Sequence, residues 1–491
     1  VTKKLVLAVI DGCKPSMLRR AIDTGRAPAL RAIEQRGTNA EACVAAFPSV
    51  TPVCAAAIAT GTLQDVHHIP SMNWYSRREG RYVEYGSSFA ASWRFGLGKQ
   101  LTDTVYNMNG EHLNPDAPTV FEALDDQDVR TAGTTYLMYR GRHEHQPSRE
   151  FALSRVAAST IFRKPVKGPR EFFYADLFAS RQTGCFGQMG LPGVRDQHTG
   201  CVSAYLAEHD LFDFLLFSLP DNDAHSHKHG PHAQVESIAA ADRQLERLFH
   251  AMGGTDAFLD RHAVIAVADH SHAAVEALID LQDALTEEWA VLPPSGARAA
   301  DAEIAFCPAQ RSAMLYVLHE DARERALPSL ARAARETDGV DLAMWRDADG
   351  YAVVAGDGGQ LRFRPGDDLE DARGRRWELH GEPGALQADA DHHRITTPVY
   401  PDALSRVWAA LLCPTSGDLL LSAAPSWEFP DWGGQAHLGG GSHGSLHRSD
   451  SEGALLFCGL ERSGVLTARE ADGAWAITDI APMAVAHFGA R

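Results

Sequence analysis

Three short apolar runs, each emptying into acidic or imidazole side chains, organise the chain. Leu5–Ile10 ends in Asp11-Gly12, Leu211–Leu219 runs into PDNDAHSHKHGP at residues 220–231, and Ala263–Ala268 ends in Asp269-His270. None alternates apolar with polar positions, so each reads as a strand buried on both faces, the habit of a parallel sheet covered by helices. The intervening pattern changes period. Pro15–Gly37 reads as two helical pieces, Thr119–Asp126 as a helix followed by a strand over Arg130–Met138, and Val235–Met252 as an amphipathic helix. A further strand is predicted at Ala454–Cys458. In an open α/β sheet ligands sit beyond the carboxyl ends of the strands, so the polar residues closing these runs are placed to share a site.

Phe47–Gly61 (FPSVTPVCAAAIATG) predicts another functional element. Cys43–Phe47 reads as a strand leading to a helix with Thr51 as N-cap, Pro52 at its first position, an Ala-rich body to Thr60 and Gly61 as its stop. A hydroxyl at a helix start lies beside free backbone N–H groups, where an anionic phosphoryl group is held. Taken alone, Thr51 is an ordinary capping residue and Asp11 an ordinary turn residue. Their conjunction with the His-rich segments points to chemistry.

Composition narrows the field. The 491 residues are 45% hydrophobic and 22% charged, globular values, and their length implies roughly two or three domain-sized units or one large core with insertions. The net charge of −18 argues against a nucleic-acid polymer or an anionic membrane as partner. A small anionic substrate remains compatible where metals or a local basic patch overrule the global field. Eight dispersed cysteines without a Cys-x-x-Cys pair suggest neither a thiolate zinc site nor a dense disulfide framework. The opening VTKKLVLAVIDG lacks the features of a signal peptide, no run is apolar enough to span a bilayer, and a cytosolic location is expected.

The pattern loosens over 141–200, with RKPVKGPR at residues 163–170, and predicts a lid or cap insertion. From about Gln310 to residue 400, RSAMLYVLHE, GYAVVAG and QLRFRPG read as strands of an inserted α+β subdomain. HHIPSMNWYSRREGRY, after Gly61, offers aromatic and basic side chains for one wall of a pocket. Segment 220–231 carries two Asp and, with His232 just beyond it, four His; carboxylate with neutral imidazole suits zinc. His443 stands in a Gly-rich loop late in the chain.

In order and spacing, VIDG at Asp11, FPSVTP with the nine-residue step from Thr51 to Thr60-Gly61, DAHSHKHGP, VADHSH at Asp269 and GGSHGSL at His443 resemble the alkaline phosphatase superfamily, and within it the nucleotide pyrophosphatase/phosphodiesterase branch. The resemblance implies a three-layer α/β core with a central, mostly parallel sheet, helices on both faces and inserted cap segments. It also implies two divalent ions, zinc in the first instance, with manganese, magnesium or iron as alternatives. One ion would be held by Asp11, Thr51, Asp269 and His270, the other by Asp223, His227 and His443. Asp221 with His225 has the same four-residue step as Asp223 with His227; the branch's pattern favours the second pair, since only His227 is separated by two residues from Gly230-Pro231.

The resemblance further implies that Thr51 is the nucleophile. Its hydroxyl is poor at neutral pH, but a dication stabilises the alkoxide, and a second neutralises phosphoryl oxygens during in-line displacement. A phospho-threonine ester would form and later be hydrolysed. The branch usually carries an Asn three residues after the nucleophile; here it is Cys54, a weak donor, and Trp74, Tyr75, Arg163, Lys164 and Arg181 are further candidates for substrate contacts. The residues after Cys54, Ala-Ala-Ala-Ile, do not fit the C-x-P-x-R setting of a sulfatase nucleophile. Hydrolysis of a small phosphodiester or pyrophosphate is the leading expectation. A phosphomonoesterase or phosphonate hydrolase on the same core is the alternative, followed by a metal-dependent mutase or transferase and a binding protein without catalysis.

Overall fold

The computed structural model describes residues 2–148, 162–185, 187, 195–295 and 298–489. At its centre is an eight-stranded sheet in the order Gly37–Val44, Glu452–Cys458, His262–Val267, Lys4–Ile10, Phe214–Leu219, Thr131–Thr134, Glu171–Tyr174, Phe178–Ala179. The five strands from His262–Val267 to Glu171–Tyr174 run parallel, and antiparallel neighbours close both edges. Lys4–Ile10 is fully flanked: Leu5 pairs with both Phe214 and Ala263, Ile10 with Leu219 and Val9 with Val267. This register aligns the carboxyl ends of the three apolar runs. Asp11, the Asp221–His229 segment and Asp269 therefore emerge side by side.

The unbroken apolar runs are explained by their two faces. Leu5, Leu7 and Val9 point into one core with the Thr51–Thr60 helix, whereas Val6, Ala8 and Ile10 point into another with the helices Pro15–Asp23, Pro28–Arg36 and Val235–Ala251. A strand with water on one side would need polar residues at every second position; this one has helices on both. Each fully buried Leu, Ile or Phe contributes about 1.5–3 kcal/mol.

A second, seven-stranded antiparallel sheet runs in the order Ile304–Ala309, Ser312–Val317, Leu419–Ala423, Val340–Arg346, Ala352–Gly356, Gly359–Glu370, Arg376–Gly381. Five of these strands fall in the 310–400 stretch, and Met314, Tyr316, Leu342 and Phe363 share one continuous apolar core with Leu5 and the Thr51 helix. In the 141–200 stretch, residues 149–161, 186 and 188–194 lie outside the described residues. What is described there includes Glu171–Tyr174, which extends the central sheet by pairing with Thr131–Thr134, and a disulfide from Cys185 to Cys201 on the helix Asp196–Glu208. Among the described residues no helix is long and apolar enough to cross a membrane.

Three local readings need correction. The strand expected at Cys43–Phe47 lies earlier, at Gly37–Val44, where it can pair with Glu452–Cys458. The strand expected over Arg130–Met138 spans only Thr131–Thr134, because Thr135 turns to a positive φ of 37°. Thr51 is the first helical residue, not the cap: Val50, at φ −106° and ψ 148°, is the N-cap, and no side chain caps this helix. Gly61 stops it as expected, at φ 70° with its N–H on the Ala57 carbonyl.

The helix Pro28–Arg36 shows how tertiary contact substitutes for a missing local signal. Its N-cap, Ala27, offers no acceptor, and Asp242 from the neighbouring Val235–Ala251 helix accepts the Ala29 and Leu30 N–H groups at 3.1 and 2.8 Å. Asp242→Ala should lower the stability to denaturant by about 1–2 kcal/mol, the worth of a helix cap. Chemical denaturation checks this.

Candidate metal centre

Asp11, the first residue beyond its strand, is followed by Gly12 at φ 64°, where an added Cβ would meet His272 Nε2 at 2.6 Å. The backbone turns there as only glycine does readily, and the close imidazole leaves room for hydrogen alone. Gly12 N–H donates to Asp269 Oδ1 at 3.1 Å, tying the ends of the two strands together.

The segment 220–231 forms the helix Asp221–His229, stopped by Gly230 at φ 82°. Helical geometry separates its two Asp–His pairs. Residues two apart are turned by roughly 200°, so one pair faces the strand ends and the other faces away. Asp223 and His227 face the site, with His227 Nε2 3.3 Å from Asp223 Oδ1. Asp221 instead pairs with Arg195 at 2.9 Å, and His225 Nε2 meets the Ala233 carbonyl at 3.1 Å.

Two adjacent groups result. In one, His270 Nε2 lies 3.3 Å from Thr51 Oγ1 and 3.5 Å from both Asp11 Oδ1 and Asp269 Oδ2. In the other, Asp223 Oδ1 lies 3.3 Å from His227 Nε2, 3.5 Å from His443 Nε2 and 2.8 Å from His272 Nε2. The groups touch: the His270 and His443 rings stack at 3.6 Å, and ligand atoms of Asp11, Asp223 and His270 lie within 4.8 Å of one another. The seven side chains Asp11, Thr51, Asp223, His227, Asp269, His270 and His443, drawn from a span of more than four hundred positions, thus form one cluster.

Its electrostatics call for a cation. Three carboxylates converge, and among the described residues no Lys or Arg pairs with any of them. Burial, then the charges of Asp269 and Asp223, pushes the Asp11 carboxyl well above the ordinary range. Its Oδ1 is buried without a hydrogen-bond partner. For Asp223 burial acts upward, but His227 and His272 outweigh it and hold its carboxyl well below the usual range. Burial keeps His443 neutral, as a ligand must be. The imidazoles are oriented from behind, with His227 Nδ1 on the Gly441 carbonyl at 2.8 Å, His443 Nδ1 on the Ser49 carbonyl at 2.8 Å and His270 Nδ1 on the Ser271 carbonyl at 3.1 Å. Each Nδ1–H donates to a carbonyl, so each Nε2 lone pair faces the cluster, the arrangement that fixes metal-binding histidines. A buried carboxylate oxygen without a partner and three such imidazoles fit divalent cations.

The loop bearing His443 is held by charges. Arg311 and Asp450, both without exposed surface, pair at 3.0 Å, and Asp450 also accepts from Ser445 N–H and Oγ. Removing one partner of such a buried pair typically costs about 3–5 kcal/mol. Arg406 donates to the Ala46 and Leu446 carbonyls, joining the approach to Thr51 to the chain after His443.

The candidates for substrate contact fare differently. Cys54 is fully buried and offers a substrate no surface; burial also pushes its thiol well above the ordinary value. Trp74 is buried with Nε1 donating to Tyr85 Oη at 3.3 Å. Tyr75 lines a cleft of about 860 Å³ with Arg77, Arg323 and Asp418, whose lining includes none of the seven cluster residues. Arg181 pairs with Glu171 through Nε at 2.8 Å, and Arg163 and Lys164 are exposed. Sequence reasoning missed His272, the second histidine of VADHSH. Its Nε2 lies 2.8 Å from Asp223, burial lowers its pKa to about 3, and with Asp223, His227 and His443 it forms a group whose ligand atoms all lie within 4.8 Å of one another.

Comparison with known proteins adds two findings. The family profile described as type I phosphodiesterase / nucleotide pyrophosphatase matches residues 5–446. Among solved structures the fold matches phosphonoacetate hydrolase from Sinorhizobium meliloti 1021, in its complexes with phosphonoformate and with phosphonoacetate, each at 18% identity and a TM-score of 0.55, covering 99% of this chain and 95% of that one. No curated protein sequence matches.

Proposed function

The chain belongs to the type I phosphodiesterase/nucleotide pyrophosphatase family, and from that membership and the geometry of the cluster we propose that it is a two-metal hydrolase of small phosphate esters, with Thr51 as nucleophile and a phosphodiester or pyrophosphate as substrate. The observation that carries the reading is the convergence of Thr51 Oγ1 with His270 Nε2 at 3.3 Å, beside two carboxylates that among the described residues pair with no Lys or Arg. Asp11, Thr51, Asp269 and His270 would hold one ion and Asp223, His227 and His443 the other, with zinc suited to this mixture of imidazole and carboxylate. Bound there, the two dications supply Lewis-acid stabilisation of the threonine alkoxide and of the charge developing on the phosphoryl oxygens.

The chain's own residues do the rest. The first turn of the Thr51 helix points its positive end at the reacting group and favours the incoming phosphoryl charge. Thr51 Oγ1 gives up its proton to solvent and attacks phosphorus, the P–O bond to the leaving group breaks and that oxygen takes a proton from solvent, and the phosphate stays esterified to Thr51 until water attacks phosphorus, loses a proton and releases Thr51, whose oxygen is reprotonated. Cys54 stands, fully buried, where this branch usually has an Asn donor, so phosphoryl recognition falls to backbone amides and to groups at the mouth of the site. The solved relative acts on a phosphonate, and at 18% identity that likeness supports the fold without choosing between C–P and P–O cleavage.

The test compares initial rates on bis-p-nitrophenyl phosphate, p-nitrophenyl phosphate and phosphonoacetate, before and after chelation and zinc replenishment. The diester should be cleaved fastest, and the chelated protein should be inert until zinc is returned. Preference for the monoester or the phosphonate would replace the substrate reading; chelator-insensitive turnover would remove the metal reading.

A further inference from the structure

His437 stands outside the seven-residue cluster yet is built into its rim. Glu428, at the end of the strand Ser426–Glu428, is 1% exposed and collects three donors: His437 Nδ1 at 2.7 Å, His437 N–H at 2.6 Å and Ser442 Oγ at 2.6 Å. A buried carboxylate accepts only, so Nδ1 of His437 carries the proton and its ring is fixed. That ring stacks on His227 at 3.9 Å with 26° between planes.

The two stacked rings share an orientation. His227 Nδ1 donates to the Gly441 carbonyl and His437 Nδ1 to the Glu428 carboxylate that also receives Ser442 Oγ, so both Nδ1 edges are anchored to the short strand Gly441–Ser442, one directly and the other through Glu428. Both Nε2 edges consequently point away from it, that of His227 at Asp223. Among the described residues His437 Nε2 has no protein partner, and the side chain is 29% exposed where His443 is 1% exposed. The result is a ring stacked on His227 whose free nitrogen, Nε2, is held in one direction by a buried carboxylate.

Resting on the hydrolase reading above, we propose that His437 is a specificity-determining residue: its Nε2 accepts a hydrogen bond from a hydroxyl on the organic arm of the phosphate ester, and Glu428 is its positioning residue. The class of substrate is a phosphodiester whose alcohol component carries a further hydroxyl close to phosphorus, as a glycerol or sugar unit does. A site that hydrogen-bonds a substrate hydroxyl discriminates strongly against the analogue without it, because the protein group is then left unpaired.

The experiment measures kcat and KM for 2,3-dihydroxypropyl p-nitrophenyl phosphate and methyl p-nitrophenyl phosphate, with zinc content and melting temperature, in the native chain, His437→Phe and Glu428→Gln. Phe keeps a ring against His227 and removes the acceptor. The native enzyme should prefer the hydroxylated ester. His437→Phe should lose about tenfold in kcat/KM on that ester and less than about twofold on the methyl ester, with zinc retained; Glu428→Gln should lose a smaller part of the same preference. An equal loss on both esters, a fall in zinc content, an unchanged preference or a native enzyme indifferent to the hydroxyl would each overturn the assignment. Should His437→Phe fail to fold, Glu428→Gln decides it by the same criteria. A native enzyme inert on both esters would instead overturn the hydrolase reading itself.

Discussion

Thr51→Ala should keep both metal equivalents and lose turnover by about 10³-fold or more, the scale seen when an attacking nucleophile is removed. Three of the four groups around the first proposed ion, Asp11, Asp269 and His270, owe their positions to strand ends and not to Thr51. The ion is therefore expected to survive the substitution while the reacting oxygen vanishes. Elemental analysis and steady-state rates on the best diester check the two halves separately, and Thr51→Ser, which restores an oxygen, should recover part of the activity. Near-native turnover by Thr51→Ala would remove Thr51 from the mechanism.

The second large effect is a contrast within one helix. His227→Ala should cost one of two zinc equivalents and lower kcat/KM by about 100-fold or more, because it deletes one of the imidazoles around Asp223 Oδ1. His225→Ala should leave both equivalents and change the rate by less than about threefold, since His225 Nε2 is spent on the Ala233 carbonyl and its ring rests on His229 at 4.6 Å. Zinc content of the two purified variants decides the matter. The reverse pattern would mean that Asp221 and His225 bind the ion.

Much of this was legible without coordinates. Uninterrupted apolar runs at Leu5–Ile10 and Ala263–Ala268 can be stable only with both faces covered, so they announced a helix-clad parallel sheet, and the polar residues closing them had to lie at its carboxyl edge. Gly61 marked the end of the Thr51 helix because only a residue tolerant of φ near 70° closes that turn cheaply. Motif order along the chain was likewise sufficient to indicate the family.

What the linear order could not state was which side chains meet. Two Asp–His pairs with identical spacing differ only in the direction they leave the same helix, and that direction is set by how the helix packs on the sheet. Asp242 caps a helix more than two hundred positions away, and His272, Glu428 and His437 matter through neighbours that no local pattern contains. The chain alone settled periodicity, strand ends and the kinds of donor available, because those follow from each residue and its near neighbours. Contact between distant segments was decided by packing, since it depends on the register of three strands and the tilt of what covers them.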